Sequence, residues 1–143
     1  MKILVTNRKA RHDYTVETPF EAGISLMGSE VKSLRAGLGN LKESWIKLDD
    51  NGVWLVGCHI SPWAQAREPH PPTRPRQLLL KKGEIAKLRR QVQQKGKTLV
   101  PLRIYVSGRY LKVEIALATG KKTYDKRAAL KAKDLKREMA RKE

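Results

Sequence analysis

Residues 102–117 carry the pattern that most restricts the fold. Leu102, Ile104 and Val106 alternate with Arg103, Tyr105 and Ser107, and the chain then turns at Ser107-Gly108-Arg109. Beyond the turn, Leu111, Val113, Ile115 and Leu117 alternate with Lys112, Glu114 and Ala116. A period of two sends successive side chains to opposite faces of a strand, so two such runs around a glycine turn predict an antiparallel hairpin. A second hairpin is predicted by Trp45-Ile46-Lys47-Leu48 and Val53-Trp54-Leu55-Val56, both rich in strand formers, around Asp50-Asn51-Gly52. Tyr14-Thr15-Val16-Glu17 alternates until Pro19 interrupts it, and Ile24-Ser25-Leu26 resumes after Gly23.

Two helices punctuate these strands. Gly28-Ser29 opens the first, with Ser29 placed to cap it, Val31 and Leu34 at helical spacing, and Gly37 and Gly39 to end it. The second runs from about Gly83 to Lys95, with Ile85, Leu88 and Val92 on one face and Lys87, Arg89, Arg90 and Lys95 on the other. Regular β–α alternation, which a parallel sheet needs, is absent. The expected fold is mainly β: a small antiparallel OB-like β-barrel of about six strands, with two or three flanking helices. Five of the seven prolines fall between Pro62 and Pro75, which predicts a long loop without regular pairing. Trp45 and Trp54 in facing strands, and Leu78-Leu79-Leu80 before the second helix, read as core; Trp63 falls in the loop.

Charge narrows the partner. Lys and Arg number 31 against 14 Asp and Glu, a formal net charge of +17. That excess points to a polyanion, whether RNA, DNA, an anionic membrane or an acidic protein. Cys58 is the single cysteine, which excludes an intramolecular disulfide and a cysteine-based zinc site. The apolar run at Ile3-Leu4-Val5 is too short for a signal peptide, and no stretch approaches the ~20 apolar residues of a membrane span. A cytoplasmic protein without a membrane partner is expected. Residues 121–143 hold six of the seventeen net charges, with only Tyr124, Leu130, Leu135 and Met139 as large apolar groups. Such a segment cannot build a core, yet its Ala, Leu, Lys and Arg favour helix. The expected organisation is a barrel over residues 1–119 and a basic tail over 120–143, disordered when free and helical against an anionic partner.

Catalysis finds little support. His12, His59 and His70 lack helical metal-ligand spacing, and no phosphate-binding glycine loop or nucleophile elbow appears. Gly37-Leu38-Gly39 lacks the third glycine of a dinucleotide fingerprint, and nothing in the spacing of Glu21 and Glu30 demands a metal-binding pair. No cofactor or metal is implied. RNA recognition, by contrast, needs cations for phosphates and planar groups for exposed bases. Arg8, Lys9 and Arg11 precede the first alternating run, Lys32 and Arg35 lie on the first helix, and Arg74 and Arg76 end the proline loop. Singly, each reads as a solvated surface charge; together they favour binding.

Several segments, in this order, closely resemble the SsrA-binding protein family (small protein B): Asn7-Arg8-Lys9-Ala10-Arg11-His12-Asp13-Tyr14, Phe20-Glu21-Ala22-Gly23, Glu30-Val31-Lys32-Ser33-Leu34-Arg35-Ala36-Gly37, Arg76-Gln77-Leu78-Leu79-Leu80, and Gly120-Lys121-Lys122 followed by Asp125-Lys126-Arg127. The similarity spans essentially the whole chain.

The resemblance implies an OB-type barrel that binds the transfer-RNA-like part of transfer-messenger RNA without catalysing a reaction. It further implies delivery of the charged complex by elongation factor Tu to a stalled ribosome. There the tail would occupy the small-subunit decoding centre and the empty mRNA channel, allowing trans-translation. By resemblance the RNA-binding positions are Asn7, Glu21 and Leu79. Charge adds Arg8, Lys9, Arg11, Lys32 and Arg35, and His12 sits in the same signature. In the tail, Gly120, Lys121, Lys122, Asp125, Lys126 and Arg127 match the decoding-centre segment. Tyr124 stands where many members have His, a change that preserves stacking on a base but not a protonated imidazole. The nearest alternative is a general or ribosomal RNA-binding protein of the same fold.

Overall fold

The computed structural model describes residues 2–93 and 97–120. Along the chain these form β1 (Lys2–Thr6), α1 (Arg8–Asp13), β2 (Tyr14–Val16), β3 (Phe20–Ile24), α2 (Gly28–Arg35), β4 (Gly39–Asn40), β5 (Trp45–Asp49), β6 (Gly52–Val56), β7 (His59–Ile60), β8 (Arg76–Leu79), α3 (Lys82–Val92), β9 (Lys97–Ser107) and β10 (Tyr110–Gly120). Eight strands make one antiparallel sheet in the order β1-β9-β10-β3-β8-β6-β5, with β2 added to the end of β10. Strands β4 and β7 form a separate two-stranded ladder.

Both predicted hairpins are present, β5–β6 and β9–β10. The 11-residue strands of the second organise the rest. One edge of β10 pairs with β9 along most of its length; the other pairs with β3 at 112–115 and with β2 at 118–120. The sheet curls until Cα atoms of β5 come within 8 Å of β9. No ladder joins these two strands, so the expected barrel is closed by side-chain packing and open in its hydrogen bonding. Its interior holds Leu34, Val53, Leu55, Ile60, Ile104, Val113 and Ile115, all fully buried.

The alternation along β9 holds only in part. A register shift opposite Glu114/Ile115 turns Leu102 away from Ile104, and Leu102 joins Val100, Ala116, Ala118 and Ala10 in a second cluster on the sheet's outer side. Alternating apolar residues would share a face if the ladder were regular; an extra residue in one strand breaks that correspondence. The cluster exists because α1 covers it, and α1 was not anticipated from the sequence. Tyr105 stays on the outer face beside Arg103 but is itself buried there, its hydroxyl bonded to Glu21.

Helix α2 begins after Met27, not Ser29: Glu30 Oε1 accepts the Met27 N–H at 2.8 Å, closing the first turn from within. Ser29 Oγ instead lies 2.9 Å from His70 Nδ1. Gly37, with φ +79°, ends the helix in the left-handed region, and the Leu38 N–H reaches back to the Ser33 carbonyl at 2.9 Å. Helix α3 packs Ile85, Leu88 and Val92 against the core as predicted. Arg89, assigned to its solvent face, donates to the Asp49 carbonyl.

The proline loop is pinned by a buried ion cluster. Glu30 and Arg76 are both fully buried; Arg76 Nε donates to Glu30 Oε2 at 2.6 Å, and its Nη groups donate to the carbonyls of Cys58 and Pro72. Arg74 Nη2 reaches Glu30 Oε1 at 2.5 Å. Burial pushes the Glu30 carboxyl up, but hydrogen bonds from Arg74, the Met27 amide and Arg76 outweigh it and hold the group below its ordinary range. The Cys58 thiol beside this cluster is pushed up to about 11 by burial, which keeps it protonated. Arg74 and Arg76 are therefore committed to this cluster, in which each oxygen of Glu30 accepts from an arginine.

Candidate nucleic-acid interface

The outward side chains of β10 divide into a covered and an open half. Ala116 and Ala118 lie under α1, packed with Ala10, Val100, Leu102, Tyr14 and Val16. Lys112 and Glu114 continue the same face beyond the helix. Register places Leu79, Gly23, Lys112, Tyr105 and Ile3 in one row across β8, β3, β10, β9 and β1. The adjacent row runs Glu21, Glu114, Arg103 and Thr6.

Leu79 is the unusual member. It is 54 % exposed, whereas its neighbour Leu78 is 2 % exposed. Strand geometry turns the middle leucine of the Leu78-Leu79-Leu80 run outward, against the reading of that run as core. A Cβ added to its cross-strand partner Gly23 would lie 3.1 Å from Leu79 Cβ, so glycine leaves the space the leucine occupies. Glu21 is exposed and accepts a hydrogen bond from the Tyr105 hydroxyl. Burial, then the bond to Glu21, pushes the Tyr105 phenol above its ordinary range, so it remains a donor. One carboxylate oxygen is thereby held in place, and the other can receive an incoming N–H or O–H. Arg103 donates twice to Glu114 Oε2, at 2.9 and 2.7 Å, and its guanidinium lies 5.8 Å from the centre of the Tyr105 ring. Lys112 Nζ lies 5.8 Å from the centre of the exposed Tyr110 ring.

At the covered end, α1 exposes Arg8, Lys9, Arg11 and His12. His12 Nδ1 lies 2.9 Å from Asp13 Oδ1. Asn7 is different: at 9 % exposed it is buried, with Nδ2 donating to the Pro101 carbonyl and its backbone N–H donating to the Leu102 carbonyl, both at 2.8 Å. It anchors the start of α1 to β9 where β1 leaves that strand. Its Oδ1 is buried without a partner.

The predicted residues thus fall into groups. Glu21 and Leu79 share the open face, and the cations of α1 flank it. Lys32 and Arg35 are exposed but belong to α2, which packs against β1 and β7; Lys32 lines a hollow with Trp63 and Arg67. Gly120 ends β10 opposite Tyr14. Lys121, Lys122, Tyr124, Asp125, Lys126 and Arg127 lie outside the described residues. Lys112, Arg103, Tyr105 and Glu114 were not singled out from the sequence, although the alternation of the second hairpin already set them apart from its apolar residues. Trp54 is half-buried, its indole N–H 3.3 Å from Asp49 Oδ1, but Trp45, expected in the core, is 51 % exposed. Among the described residues no group of three or more His, Cys, Asp or Glu could hold a metal ion, and no helix is long and apolar enough to cross a membrane.

Comparison with known proteins identifies the family. A family model described as SmpB protein matches residues 4–143. An SsrA-binding protein of Sulfurihydrogenibium sp. (strain YO3AOP1) is 53 % identical over 139 residues, covering 96 % of this chain and 91 % of the relative. One from Symbiobacterium thermophilum is 56 % identical over 137 residues, covering 94 % and 87 %. Among solved structures, a chain described under "tmRNA-SmpB: a journey to the center of the bacterial ribosome" superposes with a TM-score of 0.69 at 45 % identity, covering 86 % of this chain and 87 % of that one. With a family match over nearly its whole length and relatives above half identity, the chain belongs to the SmpB family of SsrA-binding proteins.

Proposed function

We propose that this chain binds transfer-messenger RNA, the SsrA RNA, and acts with it on the ribosome in trans-translation. The open sheet face grips the transfer-RNA-like domain. Leu79 packs on an unstacked or splayed nucleotide, Glu21 accepts hydrogen bonds from RNA donors, and Arg8, Lys9 and Arg11 meet phosphates along α1. Elongation factor Tu brings the charged complex to the stalled ribosome, and residues 120–143 then engage the decoding centre and the empty mRNA channel. Its contribution on this reading is binding, and Glu30 serves the fold through its pairs with Arg74 and Arg76.

The observation that carries this reading is Leu79, a large apolar side chain left in solvent next to an exposed carboxylate, on a face flanked by exposed cations of α1. Folded RNA is recognised by shape, by exposed bases and by phosphate contacts, and this surface offers a group for each. The test is recovery of the full chain from bacterial lysate with sequencing of its bound RNA, followed by competition between transfer-messenger RNA and transfer RNA. Enrichment of transfer-messenger RNA, and its preference in competition, is the expected result. Equal competition by bulk transfer RNA would replace this reading with a general RNA-binding role.

A further inference from the structure

A groove outside the open face lies between α1 and the segment entering β5, lined by Asn7, Lys9, Tyr14, Lys42 and Trp45. Thr98, Leu99 and Val100 of β9 also line it, where β5 approaches that strand without pairing to it. Trp45, on the outermost strand β5, leaves half of its surface in water, although an indole of this size ordinarily gains from burial. It is one of only six large hydrophobic side chains among the described residues left exposed. Two of the others, Leu79 and Ile3, belong to the row already assigned to RNA.

The charge around the groove decides what it can take. Lys9 and Lys42 line it together with Glu43 and with Asp13, which pairs with His12. A flat, uncharged group gains from the ring face, and the two lysines can meet the phosphates on either side of it. Asn7 Oδ1 lies in the wall but is closed to solvent, so recognition rests on the ring and the lysines rather than on that oxygen. Lys9 belongs to α1, the helix that borders the open face, so the groove continues the proposed interface round the edge of the sheet.

We infer that this groove is a second contact for RNA, in which an unstacked nucleobase lies on Trp45 with Lys42 and Lys9 at its flanking phosphates. The inference rests on the RNA-binding reading above and extends it to a site separate from Glu21 and Leu79. Base–aromatic stacking tolerates any base, because every base has a π-face. The base can come from the transfer-messenger RNA or from ribosomal RNA, and the experiment separates the two.

The full chain carrying Trp54→Phe and Trp63→Phe retains Trp45 as its single tryptophan. Its emission is followed while either the transfer-RNA-like fragment or isolated small ribosomal subunits are added, with gel shift or sedimentation run in parallel. The expected result is quenching that saturates with binding. Quenching by the fragment assigns the base to transfer-messenger RNA; quenching by subunits alone assigns it to ribosomal RNA. In that same arm, Trp45→Ala should weaken binding by about five- to a hundredfold, and Trp45→Phe should retain most of it. Binding in gel shift and sedimentation with Trp45 emission unchanged in both arms overturns the inference, as does a Trp45→Ala protein that binds both partners like its parent. Should Trp45→Ala fail to fold, the emission and the Trp45→Phe protein decide. If the parent chain binds neither partner, the broader RNA-binding reading has failed instead.

Discussion

Adjacent leucines on β8 offer a sharp test of where the interface lies. Leu78 is 2 % exposed and sits in the main core, whereas Leu79 is 54 % exposed on the open face. Truncating a buried leucine to alanine removes transfer free energy and leaves a cavity, so Leu78→Ala should cost about 2–5 kcal/mol of stability. Leu79→Ala leaves no enclosed cavity and should cost below about 1 kcal/mol by the same reasoning. RNA binding inverts the order. Full burial of a leucine side chain contributes about 1.5–3 kcal/mol, so covering the half that Leu79 exposes is worth roughly 1 kcal/mol. Its removal should weaken RNA affinity about fivefold, since each 1.4 kcal/mol is about a factor of ten. Urea unfolding followed by circular dichroism measures the first quantity, and gel shift with the transfer-RNA-like fragment measures the second. If Leu79→Ala unfolds as readily as Leu78→Ala, or binds the RNA as tightly as the parent, the outer face is not the contact surface.

Three further outcomes are expected. Glu21→Ala should lower RNA affinity in the same gel shift while the protein stays folded, because the exposed carboxylate gives up little more than its bond to Tyr105; unfolding would instead mark it as structural. Glu30 has a folded pKa below its ordinary 4.5, so its contribution to stability is present above that value and is lost as pH falls through the lowered pKa. Acid unfolding should show that loss, and Glu30→Gln at neutral pH should cost about 3–5 kcal/mol by leaving Arg76 buried and uncompensated; thermal melts across pH check both. Deleting residues 120–143 should abolish peptide tagging on stalled ribosomes yet leave affinity for the transfer-RNA-like fragment nearly intact, and a large loss of affinity would contradict the division of labour.

How much of this was legible beforehand depended on the length of each signal. The long hairpin of β9 and β10 repeats its period often enough to be read from the sequence, and α3 spans three turns with a clear apolar stripe. Helix α1 has six residues and a single buried one, Ala10, so no periodicity can announce it. The irregularity at Pro101–Leu102 leaves no mark in a pattern of apolar and polar letters, yet it decides which face Leu102 occupies. Leu79 shows the same blindness from the other side. Three consecutive leucines read as core until pairing with Gly23 and with β6 fixes which one points outward.

Charge misled for a related reason. A sequence counts cations without showing which ones are neutralised inside the fold. Arg74 and Arg76 surround Glu30, Arg103 faces Glu114, Lys97 faces Glu17 and Lys47 faces Asp49. Among the described residues, Arg8, Lys9 and Arg11 have no such carboxylate, so α1 supplies the uncompensated positive field beside the open face. A six-residue helix cannot hold itself there, because isolated helices this short are unstable in water. What holds it is the packing of Ala10 on Ala116 and Ala118, together with the two bonds from Asn7 to β9. On this reading a buried asparagine serves RNA binding without lying on the surface. It fixes where the phosphate-facing cations stand, and its loss should be felt by the RNA through the displacement of α1.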